Sequence, residues 1–541
     1  MFHRFAFANI AVNILFMISV KSESNQVCIP HDSENTTCTL TDVASGFDLD
    51  HSLSKMKENF GSIKQINFVD CFLEEIPIDI FTVYPNVEIV DAHYIGLVKF
   101  NLFQHKASKL RIINASMNNI DSIESQELLK AKNLESLDLS HNRISRMTPY
   151  TFQLNVKFKF LNLSHNQLKS LKLKVLEPLQ SLETLHLENN QIKEISGNFK
   201  DFKPNWKELY LQNNMLKALD PSLVRTVLIL NVTNNQISVA KFHDSKMIEL
   251  HIKSNKLKNL VTGENLEKLV ASYNHDVFDL DLKSSKGLKH LNLYHTSMKS
   301  KNEVLETILT LRQLTHLDLG EIGFSLRALM FKELRDLETL NLRGFLTDDN
   351  RIPHNTFNYL KKLKILDLTD NRVKEIDLAN FGVLKSLEGI FFRYCRLNVI
   401  KDWQNITVHF PKIKKIDIYF NVLNCNEAKE MIESFKSKEI EIVDLKEYGE
   451  GKIIEYCTGK VPKTEDLSQD DDQDDQIDED LNAEPEASES DQSNAGWIFL
   501  MIIILFVIGG LVLMLKKLDV FSMAQNKPEQ LHNNELVSHE F

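Results

Sequence analysis

A repeating pattern of apolar positions organises the chain between Leu134 and Leu219. Apolar residues fill the first, fourth, sixth and eleventh places of a 24-residue unit, and an asparagine fills the ninth place. The pattern occurs four times, beginning at Leu134, Phe158, Leu182 and Trp206. Alternation about the fourth and sixth places predicts a short strand, after which the chain must return to begin the next one. No unit can bury its apolar face alone, so the units must stack around a continuous core.

The unit LxxLxLxxNxL at this period resembles the extracellular leucine-rich repeat superfamily. The resemblance implies an α/β solenoid, a horseshoe of about sixteen turns with a parallel sheet on its concave side. The ninth-place asparagine should point inward, where its amide can pair with backbone groups of adjacent turns. We number the turns one to sixteen; they begin at Ile63, Val87, Leu110, Leu134, Phe158, Leu182, Trp206, Val227, Met247, Leu266, Leu288, Leu314, Leu337, Leu363, Leu387 and Ile413.

The turns differ in length. Steps of 23 or 24 residues up to Trp206 are followed by steps of 21, 20, 19 and 22 residues up to Leu288, and some later steps reach 26. Short turns leave less chain for the convex side, so the local curvature should change there. The turns that begin at Leu266 and Leu314 lack a clean second half, and their boundaries are soft. We predict one continuous horseshoe over residues 63–423 rather than two domains.

The beginning of the chain predicts export. Residues 1–22 combine a short basic start with an apolar run and small residues at its end, which indicates a signal peptide cleaved near Ser22. A retained membrane anchor is the alternative, although the apolar run is short for a span.

The end of the chain predicts a membrane anchor. Residues 459–496 are strongly acidic, with 14 Asp or Glu and no Lys or Arg between Thr464 and Asn494, which predicts a disordered stalk. Residues 497–515 carry no charge and are long enough to form a transmembrane helix. Residues 516–541 begin with two lysines and form a short cytoplasmic tail. We therefore expect a single-pass type I protein of the plasma membrane with an extracellular ectodomain.

The six cysteines divide into two groups in an exported protein, where disulfides are favoured. Cys71 and Cys395 fall at the ninth place and lie fourteen turns apart, roughly 65 Å at a strand spacing of ~4.8 Å. A disulfide requires Cα atoms within about 7 Å, so both should remain thiols. The expected disulfides close the N-terminal cap (residues 23–62) and the C-terminal cap (residues 424–458), and they join Cys28 with Cys38 and Cys425 with Cys457.

Five Asn-x-Ser/Thr sequons predict N-glycosylation in this export context. Asn114, Asn162 and Asn231 stand at the fifth place of their turns and so on the concave sheet, whereas Asn35 and Asn405 lie elsewhere. Glycans on the concave three would cover the first half of the horseshoe, and a protein partner would then use a flank or the later turns.

Aromatic residues concentrate at outward places of the later turns, where no sequon occurs. Exposed aromatic side chains together with arginine are the usual content of an interface hot spot. We therefore predict a surface for a protein partner or for dimerisation there, with the alternative that the rings pack beneath the C-terminal cap. The candidate residues are His290, Tyr294, His295, His316, Phe391, Arg393, Tyr394, Tyr419 and Phe420.

Other function classes find little support. The net charge of −12 becomes +2 once the 14 acidic residues of the stalk are removed, so nucleic-acid binding is not expected. His141 and His165 each stand in a Ser-His-Asn run, but the repeat itself creates that run, and no acid or nucleophile accompanies it. We find no metal-ligand cluster and no phosphate loop, and we predict neither a cofactor nor an enzyme.

The opening run Cys38-Thr39-Leu40-Thr41-Asp42-Val43, followed by degenerate short turns, is similar to insect leucine-rich repeat proteins, including mosquito leucine-rich immune proteins. Toll-like receptors also resemble this ectodomain, although the short tail leaves no room for their signalling domain. These resemblances imply an immune receptor that binds a protein ligand or a co-receptor, as a monomer, homodimer or heterodimer. A cell-cell adhesion molecule with the same horseshoe is the alternative.

Overall fold

A computed structural model describes residues 36–41, 60–77, 80–100, 102, 107–124, 127–198, 204–345 and 352–443. All of them belong to one compact unit, residues 1–461. The predicted signal peptide, Cys28, Asn35, Cys457, the stalk (459–496), the predicted transmembrane helix (497–515) and the tail (516–541) lie outside the described residues. Among the described residues, no helix is long and apolar enough to cross a membrane.

One parallel sheet of eighteen strands runs through the described part of the chain. Each strand pairs with the strand of the preceding turn and with that of the following turn. The strands are β1 (Thr37–Thr41), β2 (Gln65–Val69), β3 (Ile89–Asp91), β4 (Ile112–Asn114), β6 (Ser136–Asp138), β8 (Phe160–Asn162), β10 (Thr184–His186), β12 (Glu208–Tyr210), β13 (Ile229–Asn231), β15 (Glu249–His251), β17 (Lys268–Val270), β19 (His290–Asn292), β20 (His316–Asp318), β21 (Thr339–Asn341), β22 (Ile365–Asp367), β24 (Gly389–Phe391), β26 (Lys415–Asp417) and β27 (Glu441–Ile442).

Each of the sixteen predicted turns contributes one strand to this sheet, which confirms the solenoid and its parallel sheet. The fourth-place residue at the strand centre is buried, as at Leu137, Leu161 and Leu185, because it points into the core between adjacent turns. Two strands were not predicted: β1 lies before turn one, and β27 lies after turn sixteen.

The return segments hold the remaining secondary structure, in small sheets and short helices. The return strands are β5 (Ser122–Ile123), β7 (Arg146–Met147), β9 (Leu171–Lys172), β11 (Ile195–Ser196), β14 (Val239–Lys241), β16 (Asn259–Val261), β18 (Asp279–Asp281), β23 (Glu375–Asp377) and β25 (Val399–Lys401). The α-helices are α1 (Ile80–Val83), α2 (Leu173–Leu176), α3 (Lys301–Ile308), α4 (Ile406–His409) and α5 (Cys425–Ser437), and 3-10 helices span Pro221–Val224, Leu378–Phe381 and Trp403–Asn405.

The short turns between Val227 and Leu288 return through strands rather than helices. There β14, β16 and β18 form a parallel sheet of three strands. An extended chain covers the most distance per residue, so strands suit the turns with the fewest residues. The large sheet continues through this region, and the described residues belong to one compact unit. One horseshoe rather than two domains stays a prediction.

The ninth-place asparagines form the predicted ladder. Asn142 donates from Nδ2 to the carbonyls of Ala115 at 2.9 Å and Leu139 at 3.0 Å, and its Oδ1 accepts from the Ile120 N–H at 3.0 Å. Each amide thus satisfies backbone groups of its own turn and of the preceding one. Asn118, Asn166, Asn190, Asn214, Asn235, Asn255, Asn274, Asn371 and Asn421 donate in the same way.

At several turns the ninth place holds a residue other than asparagine. Cys71 and Cys395 are buried thiols in place of the asparagine. The Sγ of Cys71 lies 3.3 Å from the Leu40 carbonyl and 3.4 Å from that of Val69, and the Sγ of Cys395 lies 3.0 Å from the Leu368 carbonyl. In turns eleven, twelve and thirteen the ninth place holds Thr296, Ile322 and Phe345, all of them buried. The asparagine ladder is therefore interrupted for three consecutive turns.

The second place of each turn carries a charge of alternating sign over much of the solenoid. Arg111 pairs with Glu88 at 3.2 Å and with Glu135 at 2.9 Å, and Lys159 also pairs with Glu135, at 3.0 Å. The two cations lower the pKa of Glu135 to about 2. The second-place residues are Lys64, Glu88, Arg111, Glu135, Lys159, Glu183, Lys207, Leu228, Ile248, Glu267, Lys289, Thr315, Glu338, Lys364, Glu388 and Lys414.

The helix α5 covers the C-terminal end of the core. Its side chains at helical spacing, Ala428, Met431, Ile432 and Phe435, are buried, and the Asn424 side chain caps the first turn by accepting from the Asn426 N–H. Cys38 and Cys425 are each disulfide-bonded. Their pairing with Cys28 and Cys457 stays a prediction.

Candidate partner-binding surface

The third, fifth, seventh and eighth places of each turn lie on one side of the large sheet, which we call the sheet face; the seventh place is buried in several turns, as at Ser140 and Thr369. The third and fifth places flank the buried strand centre and are half-buried in most turns, and the seventh and eighth places follow the strand. The sheet face therefore repeats every turn, and its chemistry depends only on which side chains occupy these four places.

The fifth place is usually Asp or Asn because its side chain closes the end of the strand. Asp138 Oδ1 accepts from the N–H of the seventh residue, Ser140, at 2.8 Å. Asn114, Asn162 and Asn231 accept from the seventh-place N–H of their own sequons at 3.1, 3.0 and 3.0 Å. The three predicted sheet-face sequons therefore also have a structural role. Their Oδ1 accepts this backbone hydrogen bond, whereas a glycan would attach to Nδ2. Asn405 is exposed at the end of a 3-10 helix.

The eighth place adopts a left-handed backbone in all sixteen turns. Its φ values lie between +51° and +57°. The residues are Asp70, Tyr94, Met117, His141, His165, Asn189, Asn213, Asn234, Ser254, Tyr273, His295, Glu321, Gly344, Asp370, Tyr394 and Phe420. Asn, Asp, His and Gly tolerate this region best, whereas Tyr, Met, Glu and Phe adopt it at a cost. The column was not predicted, because the geometry of the repeat imposes it on any residue type.

The early eighth-place residues contact one another in series. The rings of His141 and His165 stack with centroids 3.9 Å apart, and Asn189 Nδ2 lies 3.1 Å from His165 Nε2. Asn213 then donates to Asn189, and Asn234 donates to Asn213, at 2.9 and 2.8 Å. Burial, with a smaller contribution from His141, lowers the pKa of His165. The two histidines of the Ser-His-Asn runs are thus part of this column.

The predicted residues of turns eleven and twelve form a first patch. His290 and His316 stack at 4.2 Å on adjacent strands, and burial lowers the pKa of both. The ring of Tyr294 lies so close to Gly320 that a Cβ added there would be 2.5 Å from it. Glu321 holds both Tyr294 Oη, at 2.5 Å, and His295 Nδ1, at 2.7 Å. Burial and the bond to Glu321 raise the pKa of Tyr294.

The predicted residues of turns fifteen and sixteen form a second patch. Tyr394 and Phe420 stack with centroids 4.3 Å apart. Arg393 Nε donates to Asp417 Oδ2 at 2.7 Å, and the two side chains are only 17% and 4% exposed. Phe391 is half-buried on the same face.

Tyr419 is not part of this surface, and its prediction was wrong. The residue is fully buried. Strand β27 pairs with β26 and continues the sheet past turn sixteen, so this turn lies inside the array rather than at its end. For Tyr419, the alternative of a packed ring is correct.

Tyr273 joins the first patch although the sequence did not predict it. Its ring lies 5.3 Å from Tyr294 and 5.7 Å from His295, and Lys253 Nζ lies 4.8 Å from its centroid. Tyr273 is the eighth residue of the turn that begins at Leu266, whose boundary was soft. The strand Lys268–Val270 agrees with that numbering, so reading the eighth place of this turn would have revealed Tyr273.

Comparison with known families now settles the superfamily. The family model described as "Leucine rich repeat" matches residues 108–168 and 132–192, and the model for two copies of the repeat matches residues 180–224. These matches fall on the turns with the complete ladder. The chain contains leucine-rich repeats. No curated protein matches it.

Several solved structures align with this chain at low sequence identity. A leucine-rich repeat protein of Leptospira interrogans aligns with a TM-score of 0.54 at 20% identity, over 71% of this chain and 90% of that one. Toll of Drosophila, in its complex with Spatzle, gives 0.46 at 18% identity over 68% of this chain and 52% of Toll. The APL1 leucine-rich repeat domain gives 0.42 at 16% identity over 74% of this chain and 92% of that one. Of these three, the Leptospira protein alone has a TM-score above 0.5, and its likeness concerns the fold.

Turns thirteen and fourteen separate the two patches of this leucine-rich repeat protein and carry charge instead of rings. Three strand spacings of ~4.8 Å separate turn twelve from turn fifteen, about 14 Å, which one protein partner can span. Burial raises the pKa of Asp367 between the patches, against the lowering effect of Arg343 and Arg393. In the part of the chain that the structure describes, no group of three or more His, Cys, Asp or Glu could hold a metal ion.

Proposed function

We propose that this chain is a single-pass type I cell-surface protein that binds a protein ligand or co-receptor through the sheet face of turns eleven to sixteen. The observation that carries the proposal is the arrangement of two aromatic patches and a paired arginine on one face. Aromatic side chains and arginine dominate binding energy at protein interfaces. The leucine-rich repeat fold is itself a scaffold for protein interaction, and we propose no enzymatic activity.

The patches favour binding because their side chains are already fixed. Glu321 holds Tyr294 and His295, while Asp417 holds Arg393. Immobilising a side chain on association costs about 0.5–1.5 kcal/mol. Groups that the free protein already orders avoid much of this cost.

The expected glycosylation also favours the later turns as the binding surface for a partner. We propose glycans at Asn114, Asn162 and Asn231, which would cover the sheet face of turns three to eight. The sheet face of turns nine to sixteen carries no sequon. Glycans at Asn35 and Asn405 and the disulfides Cys28–Cys38 and Cys425–Cys457 complete the proposed ectodomain, and residues 497–515 would anchor it in the membrane.

We assign the protein to innate immune recognition rather than to adhesion. The support is the similarity of the opening cap and the short turns to insect leucine-rich immune proteins.

Proximity labelling tests the proposed surface. A labelling enzyme fused to the full-length protein on cells would identify neighbours of the wild type and of the double variant Phe391→Ser/Tyr394→Ser. We expect at least one extracellular neighbour to be lost from the double variant. The matched control is His141→Ser/His165→Ser, which alters two sheet-face residues in the first half and should keep that neighbour.

Two results would contradict the proposal. An unchanged set of neighbours in a folded double variant would exclude turns fifteen and sixteen as the contact. Aggregation of cells that display only this protein, abolished by the same double variant, would support adhesion through this surface instead of recognition of a separate ligand.

A further inference from the structure

Five fifth-place residues form a continuous row on the sheet face of turns five to nine. The strand register places Asn162, His186, Tyr210, Asn231 and His251 side by side on adjacent strands. Two of the five are sequon asparagines, and the other three are rings. The row thus places aromatic side chains next to expected glycan attachment points.

The ring of Tyr210 has one face covered and the other directed along the row. Its covered face stacks on His186 with centroids 4.5 Å apart and planes 12° apart. Because the stack follows the order of the strands, the opposite face of Tyr210 points toward Asn231, the next residue in the row. The Tyr210 hydroxyl donates to Glu208 at 3.3 Å, which holds the ring in this orientation.

Asn231 lies between two rings at a spacing that suits a sugar. Tyr210 and His251 are two strands apart, roughly 9.6 Å at a spacing of ~4.8 Å, and a pyranose between them needs about 4 Å on each face. His251 is itself fixed, because its Nε2 lies 2.5 Å from Glu249 Oε1. The first sugar on Asn231 would lie farther from the sheet than the short asparagine side chain, at the height of the phenol ring.

The asparagine can carry a sugar without losing its structural bond. Asn231 Oδ1 accepts from the Thr233 N–H at 3.0 Å, and this bond closes the strand. Glycosylation replaces a hydrogen on Nδ2 and leaves Oδ1 unchanged. The oxygen therefore holds the turn while the nitrogen carries the glycan.

We propose that Asn231 is a glycosylation site whose first N-acetylglucosamine packs against Tyr210 in the slot between Tyr210 and His251. The proposal rests on glycosylation of the sheet-face sequons as set out under the proposed function. The packed sugar would be held over turns seven to nine, whereas a glycan without a neighbouring ring would move freely.

Asn114 provides a matched control within the same molecule. It stands at the same place in its turn and closes its strand with the same bond, at 3.1 Å. Its neighbours in the row are Asp91 and Asp138, which offer no ring. The two sites differ chiefly in their aromatic neighbours.

Site-resolved removal of glycans from the native protein tests the proposal. The full chain would be expressed in cells that make only oligomannose glycans, treated with endoglycosidase H, and followed at each site by mass spectrometry. We expect cleavage at Asn231 to be about fivefold slower than at Asn114, since one stacked ring contributes about 1 kcal/mol. Tyr210→Asn should raise the Asn231 rate to that of Asn114, and Tyr210→Phe should keep it slow.

The outcomes distinguish failure of the glycosylation at Asn231 from failure of the sugar to pack against Tyr210. An unoccupied Asn231 would overturn both the glycosylation and the packing. An occupied Asn231 that is cleaved as fast as Asn114, or whose rate does not respond to Tyr210→Asn, would overturn only the packing. A Tyr210→Asn variant that accelerates Asn114 as well has lost its fold. Tyr210→Val, which removes the ring but suits a strand, then replaces it, and an Asn231:Asn114 ratio that stays at the wild-type value in this variant would overturn the packing.

Discussion

Turns four to seven and turns eleven to thirteen solve the same packing problem with different chemistry. In the first group, a ninth-place asparagine such as Asn166 makes four bonds to backbone groups of two turns. In the second group, Thr296 makes one such bond, and Ile322 and Phe345 fill the space with apolar atoms. In the early turns, hydrogen bonds of the interior asparagines join neighbouring turns. In the later turns, polar side-chain contacts on the sheet face join neighbouring turns, as between Tyr294 and Glu321.

The largest expected effect tests that contrast in the interior. Asn166→Ala leaves the Ile144 N–H and three carbonyls without their amide partner, and we expect a loss of about 3 kcal/mol or more in the free energy of unfolding. Thr296→Ala removes one bond, and we expect about 1 kcal/mol. Denaturant unfolding of both variants measures the difference. Equal losses would show that the ladder is no more important in the early turns than in the later ones.

The next effect tests the contrast on the surface. Arg393→Met leaves Asp417 almost buried without its guanidinium, and we expect a loss of about 2–3 kcal/mol in the free energy of unfolding. Lys159→Met breaks the exposed pair with Glu135 and should cause no measurable change. A similar response of the two variants would contradict the view that the later turns depend on a buried pair.

A smaller effect concerns pH and the histidine pair of the first patch. Burial holds the pKa of His290 and His316 below the unfolded value of about 6.5, so the unfolded chain binds more protons. Stability is therefore present above about pH 6.5 and is lost as the pH falls toward the folded pKa. Lys268 near both rings acts in the same direction, while Glu249 and Glu338 oppose it.

Unfolding curves between pH 7.5 and 5 check this prediction. We expect His290→Gln/His316→Gln to reduce the loss of stability on acidification by about 1 kcal/mol, whereas His243→Gln, on an exposed return segment, should leave it unchanged. A double variant with the wild-type pH dependence would assign the acid sensitivity to other groups.

The smallest effect compares two residues with the same backbone angle. Met117 and Glu321 both have φ +57°, but Met117 is 53% exposed while Glu321 holds Tyr294 and His295. Met117→Asn should stabilise the protein by about 0.5 kcal/mol, because asparagine tolerates this angle better. Glu321→Asn should instead destabilise it, since its two contacts are lost. Thermal unfolding distinguishes these directions, and stabilisation by both variants would show that the patch contacts contribute little.

The repeat pattern predicted the sixteen strands because burial at the fourth and sixth places depends on side-chain size and polarity, which a sequence displays directly. It did not predict the left-handed column, because Tyr94, Met117 and Phe420 are residues that normally avoid this region. Their conformation follows from the turn that the repeat must make. Strand β1 was missed because the cap keeps only part of the repeat pattern: Cys38 and Leu40 take the buried fourth and sixth places, but no asparagine stands at the ninth.

The candidate surface was predicted by place in the repeat, and this worked where the turn boundaries were clear. His290 and His316 stack, as do Tyr394 and Phe420, because equal places in neighbouring turns are about 4.8 Å apart. Tyr419 was wrong because it stands at the seventh place, where the side chains of several turns, such as Ser140 and Thr369, are buried. The glutamate and aspartate that hold Tyr294 and Arg393 were missed because such partners come from different turns.

Because the second-place charges alternate in sign, removing an odd or an even number of turns has different electrostatic consequences. Between Lys64 and Lys207, removal of a single turn would place two charges of equal sign side by side, whereas removal of two consecutive turns would leave every neighbour opposite in sign. Within this block, repeat number can therefore change in pairs at little electrostatic cost. The block ends where Leu228 and Ile248 carry no charge, and there a single turn can be gained or lost without any such penalty.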